Sequence, residues 1–125
     1  MTSVQFYDCP VVIPYYGGKF SLSRELVPML ASHERYFEVF AGGLSMFFRK
    51  PKAELSVIND IDNDIINLYT CVIKDYKKLI DTLYWLPKSR AIFDDSKSTV
   101  KSSKEIDIPD VQRAAEYFYC IRNGF

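Results

Sequence analysis

The chain has 125 residues, of which 48% are hydrophobic, 15% aromatic and 26% charged, a composition that fits one globular domain and excludes an intrinsically disordered protein. Lys plus Arg and Asp plus Glu each total 16, so net charge supplies no general attraction to a polyanion. Any binding to nucleic acid would therefore depend on a local basic patch.

The cysteines and the apolar runs indicate the compartment. Three cysteines, far apart and odd in number, are typical of small buried thiols in a reducing compartment, and a single histidine gives them no partner for a zinc site. No apolar run approaches the roughly 18 residues that a membrane helix needs, and no signal-peptide pattern opens the chain. We therefore expect a soluble protein of the cytoplasm.

The N-terminal half predicts alternating helices and strands. FSLSRELVPMLASH (20–33) predicts a helix, in which Pro28 marks a start or a kink. YFEVF (36–40) predicts a buried strand, LSMFFRK (44–50) a short helix and ELSVIND (54–60) a second strand. The apolar face expected for the first helix consists of Leu22, Leu26, Met29 and Leu30.

The C-terminal half predicts two helices separated by a polar segment. Residues 63–86 form the clearest helical pattern, whose apolar stripe is Ile65, Leu68, Val72, Tyr76, Leu79 and Leu83. DDSKSTVKSSKEID (94–107) has few apolar residues and predicts a mobile polar loop within 88–108. DVQRAAEYFYCIR predicts a last helix after Pro109, capped by Asp110. Strand, helix, strand, helix indicates a parallel sheet with crossover helices.

The end of each predicted strand carries a residue typical of ligand binding. Gly42 and Gly43 follow the first strand, and Asp60, 18 positions later, ends the second. In doubly wound sheets such a glycine turn lets the backbone approach a ligand, while the acid accepts hydrogen bonds from ribose hydroxyls. An adenosine-containing ligand is indicated, either a dinucleotide or S-adenosylmethionine. The dinucleotide fingerprint G-x-G-x-x-G is absent because Leu44 occupies its second glycine position.

Structural alternatives exist for these residues. The glycines could form only a turn between core elements, and Asp60 could cap the helix of the IDNDII segment, a role equally open to Asp62 or Asn63. The earlier glycine pair in YYGGK (15–19) could be a turn followed by a solvated lysine. Alternatively, this loop could place Lys19 and an aromatic ring over an adenosine ligand.

Four segments in this order resemble the N-terminal half of the Dam-type (D12 class) DNA adenine-N6 methyltransferases. The segments are PYYGGK (14–19), EVFAGGLSMFF (38–48), INDIDNDIINLY (58–69) and the C-terminal YFYCIRNGF. The resemblance covers most of residues 12–85. It implies a Rossmann-like α/β fold that binds S-adenosylmethionine, with an incomplete parallel sheet and crossover helices, and a reaction that methylates adenine in double-stranded DNA.

The resemblance also assigns residues and regions. It implies a cofactor-binding part over 1–87 and the start of the DNA target-recognition region over 109–125. The implied cofactor-binding residues are Tyr16, Lys19, Glu38, Phe40, Gly42, Gly43 and Asp60, with Leu44 standing where many members have a small residue. Arg122 and Asn123 are implied at the start of the DNA-facing region.

The motif that performs methyl transfer in this family, D-P-P-Y, is absent from the sequence. That motif positions the weakly nucleophilic adenine amine against the methyl donor. We therefore expect that this chain is an N-terminal fragment of an enzyme. Such a fragment would contain no catalytic residues and would have no activity alone. The alternative is a non-catalytic relative that binds S-adenosylmethionine or DNA. Two basic segments, Arg49–Lys52 and KSTVKSSK (97–104), could contact phosphates, although such clusters are usually solvated surface.

Overall fold

The computed structural model describes residues 3–10, 12–13, 19–102 and 105–124. The chain divides into two compact units, Met1–Ile61 and Asp62–Phe125. The elements in chain order are α1 (Phe20–Met29), β1 (Arg35–Glu38), α2 (Ser45–Phe48), β2 (Leu55–Ile58), α3 (Asn63–Lys74), α4 (Tyr76–Tyr84), α5 (Arg90–Lys101) and α6 (Val111–Asn123). In these described residues, no helix has the length and apolar character needed to cross a membrane.

The first unit contains the sheet. β1 and β2 pair in parallel, with Arg35 opposite Leu55 and Glu38 opposite Ile58. The pairing extends beyond the strands, because the Ala41 N–H donates to the Asn59 carbonyl at 2.9 Å. Parallel strands need a crossover connection, and α2 lies within it. The predicted parallel pairing is confirmed, and the protein is a mixed α/β protein.

The prediction that the first strand is buried is wrong for most of its apolar side chains. Phe37, Val39 and Phe40 are 61%, 61% and 75% exposed, whereas Glu38 is only 6% exposed. In the described part of the chain β1 has a neighbouring strand on one edge only. Its aromatic side chains therefore remain accessible beside the end of the strand.

The predicted inward face of α1 is also wrong. Leu22 is 55% and Met29 78% exposed, while the buried side chains are Ser23 and Val27. The reason is a polar contact that periodicity does not detect: the Arg49 guanidinium donates to the Ser23 hydroxyl at 3.0 Å and turns that face of α1 inward. The helix ends one residue after Pro28, so the proline lies in its last turn.

The second unit is helical, and α6 contacts α3, α4 and α5. The single helix predicted over 63–86 is instead two helices, because Asp75 leaves helical geometry with φ −133° and ψ 35°. The Asp75 N–H closes α3 on Cys71, and its carbonyl accepts the Leu79 N–H that begins α4. Tyr76, predicted on the apolar stripe, is 52% exposed as a result.

The predicted polar loop after Pro87 is wrong over most of its length, since residues 90–101 form α5. Ser89 caps the start of this helix by accepting the Ile92 N–H at 3.5 Å. The Arg113 guanidinium donates to the Thr99 and Val100 carbonyls at the other end. These end contacts come from distant sequence, which is why composition alone predicts a loop.

The start of α6 confirms the prediction for Asp110, whose carboxylate accepts the Arg113 N–H at 3.1 Å. The backbone of Asp110 is held by the fully buried Asn67, whose amide group both donates to its carbonyl and accepts its N–H, at 2.9 and 2.8 Å. Of the three cysteines, Cys71 is buried as predicted, and Cys9 and Cys120 are partly buried; all three are free thiols.

Candidate cofactor-binding site

The glycine pair forms a tight turn directly after β1. The Leu44 N–H donates to the Ala41 carbonyl at 2.9 Å, and Gly42 has φ 51°, a left-handed conformation that favours glycine. Leu44 also has a left-handed φ, 52°, and its side chain is fully buried. Its carbonyl then accepts the Phe48 N–H, so the turn leads directly into α2.

Asp60 reaches across to this turn. One carboxylate oxygen of Asp60 accepts the Gly42 N–H at 3.1 Å. The alternative role of Asp60 as the helix cap is wrong, because Asp62 caps α3 by accepting the Asp64 N–H at 2.9 Å. The structure thus brings the two predicted motifs together at the carboxyl ends of the parallel strands, where ligands bind in such sheets.

A cavity of about 430 Å³ lies against β1 and α1 in the same unit. It brings together three of the predicted residues, Lys19, Glu38 and Phe40. The remaining lining is mainly apolar: Leu26, Met29, Leu30, Tyr36, Phe37, Val39 and Met46. An apolar cavity with one acid and one cation is suited to a small zwitterionic or aromatic ligand.

Glu38 is the buried charged group of this cavity. The Tyr36 hydroxyl donates to a Glu38 carboxylate oxygen at 3.2 Å. Burial raises the pKa of Glu38, and the ammonium of Lys19, the Tyr36 hydrogen bond and the ammonium of Lys50 each act in the opposite direction. Burial together with the Glu38 charge raises the pKa of Tyr36 well above its ordinary value, so this hydroxyl remains a donor.

The structure describes only the last residue of the YYGGK motif. Tyr16 and the glycines of YYGGK lie outside the described residues. Lys19, the last residue of that motif, is exposed, and its carbonyl accepts the Ser23 N–H in the first turn of α1. Its side chain is part of the lining of the cavity.

The basic segment at 49–52 does not form a solvated patch. Arg49 is only 4% exposed and lies 3.9 Å from the centre of the Phe20 ring. Its guanidinium also donates to the Cys9 carbonyl at 2.7 Å, so it fastens the N-terminal segment to α1 and α2. Lys50 is 3% exposed, and Lys52 alone is solvated. The burial of Arg49 and Lys50 contradicts both the solvated surface expected for this cluster and the alternative of phosphate contact at these two residues.

A second cavity, of about 360 Å³, lies in the helical unit beside the C-terminal end of α6. Asn123 lines it and donates its amide to the Tyr119 carbonyl at 2.9 Å, while Arg122 is exposed in the same turn. Three cationic side chains share the lining with Asn123 and the Phe93 ring: Lys88, Arg90 and Lys97. This concentration of positive charge was missed because a neutral composition and a predicted loop gave no reason to bring these residues together.

The sheet of the first unit and a family match identify the class of this protein. A parallel strand pair with a helix in its crossover, together with further helices, defines a mixed α/β protein. A family model described as D12 class N6 adenine-specific DNA methyltransferase matches residues 15–125. The chain therefore belongs to the D12 class N6 adenine-specific DNA methyltransferase family.

One curated relative is a bacterial methyltransferase. The chain is 29% identical over 116 residues to the Type II methyltransferase M1.LlaDCHI of Lactococcus lactis subsp. cremoris. The alignment covers 87% of this chain and 39% of the relative, so the chain spans less than half of that relative's length. This similarity to a methyltransferase agrees with the family assignment.

Proposed function

We propose that this chain is the S-adenosylmethionine-binding portion of a site-specific DNA adenine-N6 methyltransferase. The observation that carries the proposal is the contact between the Gly42 N–H and the Asp60 carboxylate at the ends of β1 and β2. Family membership supports the class of reaction. The buried Glu38 and the neighbouring cavity support the kind of ligand.

The residues present fit this cofactor. A carboxylate has acceptor sites for about four hydrogen bonds, so Asp60 can accept from ribose hydroxyls while it holds Gly42. Glu38 offers an anionic oxygen to a cationic amino group, and the accessible Phe40 ring offers a packing surface for the adenine or the methionine chain. When bound, S-adenosylmethionine supplies the electrophilic methyl group.

We infer that these 125 residues do not transfer the methyl group by themselves. The sequence has no D-P-P-Y or N-P-P-Y segment to accept hydrogen bonds from the adenine amine. That absence also favours the second candidate, a non-catalytic relative that binds the cofactor or DNA. One experiment separates the two candidates. A longer form of the protein that includes a D-P-P-Y or N-P-P-Y segment is assayed for transfer of radiolabelled methyl groups to adenine-containing DNA. Transfer supports the enzyme, and no transfer supports the non-catalytic relative.

Calorimetric titration of the purified chain with S-adenosylmethionine tests the binding proposal. We expect saturable binding with one site per chain, and we expect Lys19→Ala to weaken it because that ammonium lines the cavity beside Glu38. Lys52→Ala, an exposed lysine of the same unit outside that lining, serves as the matched control. Absence of heat with a chain shown to be folded would contradict the proposal.

We further propose that the cationic cavity of the helical unit contacts DNA phosphates. Lys88, Arg90 and Lys97 are exposed, and none of the described residues lining that cavity is acidic. Guanidinium and ammonium groups are the usual phosphate ligands, and the second N–H of the Asn123 amide can add a hydrogen bond. The proposal places this surface next to Arg122 and Asn123.

Removing two of these cations gives a specific expectation. The Arg90→Ala/Lys97→Ala variant should bind duplex DNA more weakly whatever the DNA sequence. The slope of log K against log salt should become less steep by about 1.8, because each of the two lost phosphate contacts contributes about 0.9 to its magnitude. Fluorescence anisotropy across a salt series measures both. Lys77→Ala/Lys78→Ala on α4 removes the same charge from an exposed surface outside the cavity. Equal slopes in the two double variants would contradict the proposed site.

A further inference from the structure

Lys50 is an unusual residue for the interior of a protein. It lies two residues after the end of α2 and is only 3% exposed, although lysine is almost never fully buried without a partner. Its ammonium donates to the Pro51 carbonyl at 3.0 Å and lies 4.1 Å from the centre of the Tyr36 ring. Removing an ammonium from water is costly, and these two contacts offset part of the cost of burying Lys50.

The contacts of Lys50 lead to the candidate cofactor site. The Tyr36 ring that faces Lys50 carries the hydroxyl that donates to Glu38. Glu38 in turn lines the cavity that lies against β1 and α1. Lys50 itself is outside that lining, so it acts on the cavity through Tyr36 and through its charge.

We propose that Lys50 is a positioning residue for cofactor binding: it holds the Tyr36 ring, whose hydroxyl donates to Glu38, and it adds a fixed positive charge near that carboxylate. This inference rests on the proposed function. It distinguishes Lys50 from Lys19, which is exposed at the opening of the cavity and is free to follow a ligand or solvent, whereas Lys50 is fixed by its burial.

The charged groups around Glu38 give the expected direction. Among the described residues, those facing it are Tyr36 from β1, Lys19 at the start of α1 and Lys50 after α2. His33 stacks on the Tyr36 ring, with 5.6 Å between the ring centres. Burial raises the pKa of Glu38 and lowers that of Lys50, while the attraction between the two charges counteracts both shifts. Loss of the ammonium therefore raises the pKa of Glu38 further.

The direct test follows the carboxyl carbon of Glu38 by NMR during a pH titration of the full chain without ligand. We expect the midpoint of Glu38 to be higher in Lys50→Met than in wild type. The control Lys52→Met, an exposed lysine two positions on, should leave it unchanged, and Lys50→Arg should restore it. An unchanged midpoint in Lys50→Met would overturn the proposal.

A second variant, Lys50→Gln, tests the proposal even if Lys50→Met does not fold. Lys50→Gln keeps a donor for the Pro51 carbonyl and loses only the charge. It too should raise the Glu38 midpoint, and a folded Lys50→Gln chain with the wild-type midpoint would overturn the proposal equally.

Calorimetry adds a readout on the cofactor. At a pH near the Glu38 midpoint of the variant, we expect Lys50→Met to bind S-adenosylmethionine more weakly than wild type, because less of the Glu38 carboxylate is ionised there. The difference should narrow at higher pH, where Glu38 is ionised in both proteins, and Lys52→Met should match wild type throughout. If wild type itself fails to bind, the proposed function is wrong, yet the Glu38 midpoint still decides the role of Lys50.

Discussion

Replacing Arg113 by methionine lowers the free energy of unfolding of the helical unit by about 3–5 kcal/mol, the usual cost of leaving a buried ion unpaired. Arg113 is 9% exposed and forms a bidentate pair with Asp64, at 2.8 and 3.2 Å. Its guanidinium also donates to the Ser102 hydroxyl and to the Thr99 carbonyl, both at 3.3 Å. The hydrogen bonds to Asp64 raise the pKa of Arg113 further, so it is charged at every accessible pH.

Urea denaturation followed by circular dichroism measures this loss. Arg122→Met, at an exposed position of the same helix, is the matched control and should change stability by less than about 0.5 kcal/mol. The double variant Asp64→Leu/Arg113→Met should recover much of the loss, because it removes both buried charges together. Equal effects of Arg113→Met and Arg122→Met would show that the pair does not hold α3, α5 and α6 together.

Replacing Asp60 by alanine weakens S-adenosylmethionine binding by about 10- to 100-fold, the effect of losing one or two hydrogen bonds to a charged acceptor. Asp60 holds the Gly42 N–H and presents its carboxylate at the strand ends, so the variant loses both the ligand contact and the support of the turn. Calorimetric titration of folded protein measures the change.

Asp62 supplies the matched control for Asp60. It lies two positions further along, carries the same charge and caps α3 through the Asp64 N–H. Asp62→Ala should lower stability by about 1 kcal/mol, the usual cost of losing a helix cap, and leave cofactor affinity unchanged. If the two alanine variants lose affinity equally, the assignment of ribose binding to Asp60 is wrong.

The parts of the molecule that depend on local sequence were predictable. Strand propensity and glycine punctuation located β1, the turn and β2, and parallel pairing follows from a strand, helix and strand in that order. The Asp110 cap needs only a neighbouring side chain and a helix start. The spacing of Gly42 and Asp60 likewise predicted that both lie at the carboxyl ends of the strands, and the structure joins them there by a hydrogen bond that was not predicted.

The parts that depend on distant side chains were not predictable. Most of α5 after Phe93 is polar, and its C-terminal end is capped by an arginine from α6, so its sequence resembles a loop. Lys50 lies in a basic run that is typical of solvated surface, and only the fold places it against the Tyr36 ring. The single periodic pattern over 63–86 concealed the break at Asp75, because α3 and α4 both present apolar residues to α6.

The measurement that tests the central claim most directly is a heteronuclear NMR titration of the ¹⁵N-labelled chain with S-adenosylmethionine. If the turn after β1 is the cofactor site, the amides of Gly42 and Gly43 shift saturably, and Asp60→Ala removes the effect while Asp62→Ala retains it. A folded chain whose Gly42 amide does not move at a saturating concentration of the cofactor would contradict the account.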